Sequence, residues 1–172
     1  DVYKRQELDV KKNLDFIGLR GLSFVCNAAY IYSRVRFEEG APERDRPLAG
    51  QSPYLVNAGF FYQYDDKGIS ASLLYNRIGK RIESVGVPMQ NQNEDIPDIY
   101  EMPRNSLDLT FSKKIGKIVE IKAGIQDMLN SKVEYKQFVK LTDDKGGKSE
   151  REQLIRSYRP GVDINIGVSL RF

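Results

Sequence analysis

The sequence predicts an all-β fold: about seven strands of an antiparallel transmembrane β-barrel, arranged as a meander without a helix. Three observations carry this. Apolar residues recur at every second position through most of the chain. The intervening positions hold small uncharged polar residues, with charges displaced to turns and strand ends. Connections alternate between short and long. Side chains of a strand alternate between its two faces, so a period of two marks a strand with one apolar face.

Taken in order, the N-terminal segment at 7–12 is the weakest, with Leu8 and Val10 on one parity. Residues 22–32 are clearer: Leu22, Phe24, Cys26, Ala28, Tyr30 and Tyr32 alternate with Ser23, Val25, Asn27 and Ala29. In 54–64 the apolar parity is Tyr54, Val56, Ala58, Phe60, Tyr62 and Tyr64. Ile69, Ala71, Leu73 and Tyr75 form the next band, then Leu107, Leu109 and Phe111, then Val119, Ile121, Ala123 and Ile125. The last is the most regular: Val162, Ile164, Ile166, Val168, Leu170 and Phe172. A spanning strand needs about 9–11 tilted residues. Residues 22–32, 54–64 and 162–172 meet that, and 107–111 is the shortest band. Arg77 and Asp127 continue the apolar parity of two shorter bands and are expected near the far interface.

Residues 65–68, ending in Gly68, and 113–117 are tight turns. Residues 38–53, 84–104 and 141–153 are long polar connections rich in Gly and Pro. Short and long connections therefore fall at opposite ends of a meander. The second parity, with Asn27, Ser70, Ser72, Asn76, Thr110, Ser112, Asn165 and Ser169, suits a lumen, leaving the apolar parity to lipid. The aromatics Tyr30, Tyr32, Tyr54, Tyr62, Tyr64, Tyr75 and Phe111, with Phe172, fall toward band ends, as interfacial girdles do. The mean hydropathy of -0.51 is then an average over lipid-facing, lumenal and loop residues.

Composition excludes several chemistries. With no His there is no Ser-His-Asp triad, no His base and no His-ligated metal. One Cys makes neither an internal disulfide nor a multi-Cys zinc site, and Cys26 on the apolar parity reads as a small hydrophobe. The net charge of +3 gives no footprint for nucleic acid. No enzyme site, cofactor or committed metal site is expected. Residues 89–95 with Asp98 offer oxygen ligands without EF-hand spacing. Asp143, Asp144 and Glu150, mixed with Lys145 and Lys148, read as a solvated loop tip, and Arg34 and Arg36 as strand-end charges. Asn76-Arg-Ile-Gly-Lys80 lacks the phosphate-loop pattern.

Several runs resemble a family. Ser52-Pro-Tyr-Leu-Val-Asn-Ala-Gly59 and Ile69-Ser-Ala-Ser-Leu-Leu-Tyr-Asn-Arg-Ile-Gly-Lys-Arg-Ile82 look like the C-terminal barrel of TonB-dependent outer-membrane receptors of the Bacteroidetes type. Asp98-Ile-Tyr-Glu-Met-Pro-Arg-Asn105, Glu120-Ile-Lys-Ala-Gly-Ile-Gln-Asp-Met-Leu-Asn130 and Tyr158-Arg-Pro-Gly161 are similar to it too. The resemblance covers residues 7–172. Residues 1–6 look like an adapter-derived scar and are set aside from fold reasoning.

In that family about twenty-two strands surround an N-terminal plug, and TonB drives ligand import. The resemblance implies a C-terminal barrel part, with the plug and earlier strands belonging to a parent protein. It implies the outer membrane of a Gram-negative bacterium and a periplasmic C-terminus. Short turns are then periplasmic and long connections extracellular. Its implied partners are outer-membrane lipid, the barrel-assembly machinery, the TonB complex and an unidentified siderophore, cobalamin, glycan or peptide. Val168, Leu170 and Phe172 would carry the assembly signal; the alternative role for Phe172 is an interfacial anchor. Two other classes stay open: a passive porin-like or structural barrel, and a soluble lipocalin-like binding module.

Overall fold

The computed structural model describes residues 2–41, 43–88, 95–142 and 148–171. Eleven strands form among them: β1 Val2–Asn13, β2 Leu22–Arg34, β3 Tyr54–Tyr64, β4 Ile69–Ile78, β5 Arg81–Ser84, β6 Ile99–Glu101, β7 Arg104–Ile115, β8 Val119–Gln126, β9 Val133–Thr142, β10 Lys148–Tyr158 and β11 Asp163–Leu170. The described residues hold no α-helix; single 3-10 turns occupy Asp15–Ile17 and Asp65–Lys67. Gly18 and Gly68 close these turns at φ 83° and 59°, a backbone region that glycine enters without steric cost.

All pairing is antiparallel, in two sheets. The larger has the order β1-β2-β3-β4-β7-β8-β11, a meander in chain order. Its seven strands fall on the seven expected bands, with β11 covering residues 163–170 of the band expected at 162–172. The shortest of those, at 107–111, belongs to the twelve-residue β7. Residues 2–6, set aside above, pair with Arg34 through Tyr30 of β2.

The smaller sheet, β10-β9-β6-β5, corrects the expectation that the long connections are loops. Each of its strands adjoins one strand of the larger sheet in sequence: β5 follows β4, β6 precedes β7, β9 follows β8 and β10 precedes β11. The lateral order is the same in both sheets. Four strands thus continue beyond a common break. The break has local causes: Gly79 in one strand, Pro103 in another, and the positive φ of Asp127 (52°), Asn130 (43°) and Gly161 (96°) in the others. Proline removes a ladder donor, and positive φ interrupts the pleat.

Register places every predicted apolar parity on one face of the larger sheet. Lys12, Phe24, Phe60, Leu73, Leu109, Ile125 and Ile164 are successive partners across all seven strands. Phe24 and Phe60 touch, with ring centroids 5.2 Å apart. On the opposite face Asn13, Ser23, Phe61, Ser72, Thr110, Gly124 and Asn165 form the matching row. Its hydroxyls bond across strands: Ser23 donates to Asn13 at 2.9 Å, Ser72 pairs with Thr110 at 2.6 Å, and Ser70 pairs with Ser112 at 2.8 Å.

Among the described residues no second layer covers the apolar face. Phe60 is 44% exposed and Ile166 77%. The buried apolar residues, Ala29, Ile31, Ile82, Val133 and Tyr135, lie toward the long connections, and of these Ile82 is fully buried. No closed barrel forms: β1 and β11 each have one hydrogen-bonded neighbour, leaving two open edges.

Candidate functional site

A cleft of about 350 Å³ opens at the long-connection end. Its walls come from residues 43–47, from 85–88 with 95–98, and from the smaller sheet at Tyr100, Phe138 and Glu150. The middle wall is an arm closed by two backbone bonds of 3.0 Å between Val87 and Ile96. Asp98 steadies the arm by accepting the Gly86 N–H at 2.7 Å. The arm meets the first wall through an ion pair between Arg44 and Asp95.

Lys80 stands at the cleft, in the break between β4 and β5. Its ammonium lies 4.1 Å from the Tyr100 ring centroid and 3.8 Å from that of Phe138, themselves edge to face at 5.7 Å. A cation over two ring faces is favoured by their quadrupoles. Burial lowers the Lys80 pKa from its ordinary 10.5, against the opposing pull of Glu150 and Glu152. Burial likewise raises the Tyr100 phenol, helped by the nearby Asp98 carboxylate. Below the cleft, Lys136 bridges Glu134 at 3.3 Å and Glu152 at 2.6 Å, tying β9 to β10.

The break between the sheets is fastened by a second constellation. Buried Asp127 forms an ion pair with Arg104, and its own N–H donates to Asp108 at 2.8 Å. Asn130 accepts the Gly161 N–H on its side chain and the Arg159 guanidinium on its carbonyl, both at 3.1 Å. Ser52 accepts the Gly79 N–H at 2.9 Å and donates to the Tyr54 carbonyl at 2.7 Å. Asp127 lies directly after β8, toward the long connections, and its side chain is buried against Arg104. The chain turns at positive φ directly after β8 and carries the carboxylate inward to Arg104.

Scans of family models, curated proteins and solved structures return no match.

Tyr30, Tyr32, Tyr54, Tyr62, Tyr64, Tyr75 and Phe111 share the apolar face. Tyr30 pairs with Tyr54 toward the long connections, while Tyr62 and Tyr64 lie toward the short turns. Arg77 ends its band among partners: Nε meets the Tyr54 hydroxyl at 3.3 Å, and Nη1 meets Asn105 at 2.8 Å, which also accepts from Tyr75 at 2.8 Å. Val168 and Leu170 project from β11 opposite Ile121 and Val119. Phe172, like residues 89–94, Asp143, Asp144 and Lys145, lies outside the described residues. Of the oxygen-rich run, Asp95 faces Arg44 and Asp98 is bonded to Gly86; no metal-holding acidic group occurs among the described residues. Arg34 pairs with Asp45 at 3.3 Å. Cys26 is half-buried on the apolar face between Val10 and Ala58.

The sequence reading missed Lys80, Tyr100 and Phe138 as a unit. They come from three separate elements, and no local spacing joins them. The alternation of Val133, Tyr135 and Val139 was the available sign of the strand that carries Phe138.

Proposed function

We propose that this chain is the C-terminal part of an outer-membrane barrel of the TonB-dependent receptor kind, in a parent protein that imports a nutrient ligand. In this reading the larger sheet is a stretch of barrel wall and its hydroxyl-rich face lines the lumen. The smaller sheet and the cleft stand outside the cell, where they meet ligand. TonB acts on the parent through its N-terminal region, and the C-terminus is periplasmic. The chain itself carries no catalytic role.

One observation supports this most directly: an apolar face that runs across seven strands and that no layer covers among the described residues. A soluble sheet buries that face against another layer. The hydrogen-bonded small polar residues opposite it suit an aqueous interior. The alternation of short turns with long, partly folded connections fits a wall with one simple and one elaborate rim.

Cys26 tests the reading, because it is the sole thiol and sits mid-band on the apolar face. With the chain inserted into phosphatidylcholine vesicles, a membrane-impermeant maleimide is expected to leave Cys26 unmodified until detergent denatures the protein. In a Cys26→Ala background, Asn27→Cys is expected to react readily. Fast labelling of Cys26 with protection of Asn27→Cys, or a monodisperse monomer in detergent-free buffer, would overturn the proposal.

A further inference from the structure

The overall charge of +3 conceals an asymmetry between the two ends. Around the short turns, residues 11–23, 61–71, 111–122 and 169–171 hold nine basic and four acidic residues, whereas the rest of the chain has two acidic residues in excess. Three of these lysines rim the apolar face. Lys12 partners Phe24, and Lys113 lies between Ile69 and Ile121 in the same registers that build that face. Lys67, in the turn between β3 and β4, sits 5.5 Å from the Tyr64 centroid, and Lys12 sits 5.4 Å from that of Phe16. Lys113 donates to the Lys67 carbonyl, holding two of the three together. Among the described residues the ion pair at this end is Lys122 with Glu120, on the opposite face. Of the other three acidic residues here, Asp15 accepts the Gly21 N–H at 2.9 Å, Asp65 accepts the Gln63 amide at 2.8 Å, and Asp66 lies in the same turn as Lys67. Beside the lysines the turn tips expose Phe16, Ile17, Leu19 and Ile118.

We infer that the short-turn rim of the larger sheet binds the phosphate headgroups of anionic phospholipids. The inference rests on the apolar face lying in a bilayer. Lysines at the edge of such a face reach headgroup depth while their stems cover apolar surface. Aromatic rings beneath two of the ammoniums hold them at that depth. The exposed turn tips enter the same zone, and from β1 to β7 the rim extends about 19 Å at ordinary strand spacing, enough for several headgroups.

The test uses the full chain in phosphatidylcholine vesicles with and without phosphatidylglycerol, and reads the retained lipids by native mass spectrometry. Phosphatidylglycerol is expected to be enriched over its share of the vesicle, and raised salt to weaken the enrichment. The triple variant Lys12→Gln, Lys67→Gln, Lys113→Gln should reduce the enrichment about tenfold or more. Lys11→Gln, Lys114→Gln, Lys122→Gln removes the same charge at the same end from the opposite face, and should retain it. Insertion without enrichment, or equal loss in both triples, overturns the inference and leaves the membrane reading standing. Failure to insert into neutral vesicles overturns both. Binding of an acidic polypeptide without phosphatidylglycerol preference would assign the rim to a protein partner and overturn the inference.

Discussion

At the residue scale the sharpest dependence is on the Arg104–Asp127 pair. Both side chains are mostly shielded from water, so removing one leaves the other charged without compensation. Asp127→Ala should cost about 3 kcal/mol. Replacing both with Ala should cost less than the sum of the single losses, because the stranded charge is gone. Urea unfolding of the chain in detergent micelles measures this cycle, and strict additivity would sink it. Lys80 and Tyr100 give a pH dependence of opposite signs. Burial favours the neutral phenol, so the Tyr100 contribution is complete below its ordinary value of 10.0 and is lost as pH rises through its higher folded value. Burial disfavours the Lys80 ammonium, so its contribution appears only as pH rises through a lowered folded value and is complete above 10.5. Lys80→Met removes the term that grows with pH. The variant should therefore fall further behind the parent chain in stability as pH rises toward 10.5 and stay at a constant margin above it, as thermal melts across alkaline pH will read. An unchanged slope would contradict the assignment.

At the element scale, β2, β3, β4, β8 and β11 were legible because each is largely a period of two, whereas β1 shows it only at Leu8 and Val10. β7 was only partly legible. Asn105 and Lys113 occupy apolar-face positions at its ends, so the apolar run looks shorter than the strand. β10 hides its period behind a register shift between Leu154 and Arg156, where the ladder skips Ile155 and two apolar residues stand in succession. β9 alternates visibly at Val133, Tyr135 and Val139, yet its intervening charges resemble those of a solvated loop. The cleft was illegible for another reason: its walls are brought together by the pairing of β6 with β9, a contact no local pattern encodes. The arm formed by 85–88 and 95–98 adds a prediction. A side chain at Gly86 would collide with the Ile96 carbonyl and crowd Pro97, both of them backbone that cannot swing aside. Gly86→Ala should open the arm and speed hydrogen exchange at Val87 and Ile96, leaving β2 and β3 protected. Unchanged exchange at those two amides would refute it. For β11, the proposed assembly role belongs to the apolar face that carries Val168 and Leu170. Deleting Phe172 from the full-length parent is expected to lower its abundance in the outer membrane, read as the heat-modifiable band.

At the scale of the whole molecule the decisive fact is the pair of open edges. β1 offers twelve residues of unpaired strand edge and β11 offers eight, and in a bilayer neither can turn to water for hydrogen bonds. Each exposed ladder group in hydrocarbon costs several kcal/mol, far more than the stability of a typical domain once a whole edge is counted. The chain alone in a membrane mimic must therefore find strands to pair with, and the nearest supply is another copy of itself. In detergent it is expected to associate in a concentration-dependent way, with β1 of one copy against β11 of the next. Cysteines placed at Leu8 and Ile166 in a Cys26→Ala background should then cross-link between copies under oxidation. In the proposed parent barrel, joining the chain to upstream strands should suppress both association and cross-linking, because β1 would gain its own neighbour and closure would occupy β11. A chain that stays monomeric in micelles at every concentration, with both edges exchanging amide hydrogens as fast as a loop, would show that the sheet tolerates open edges. It would then not be a stretch of barrel wall.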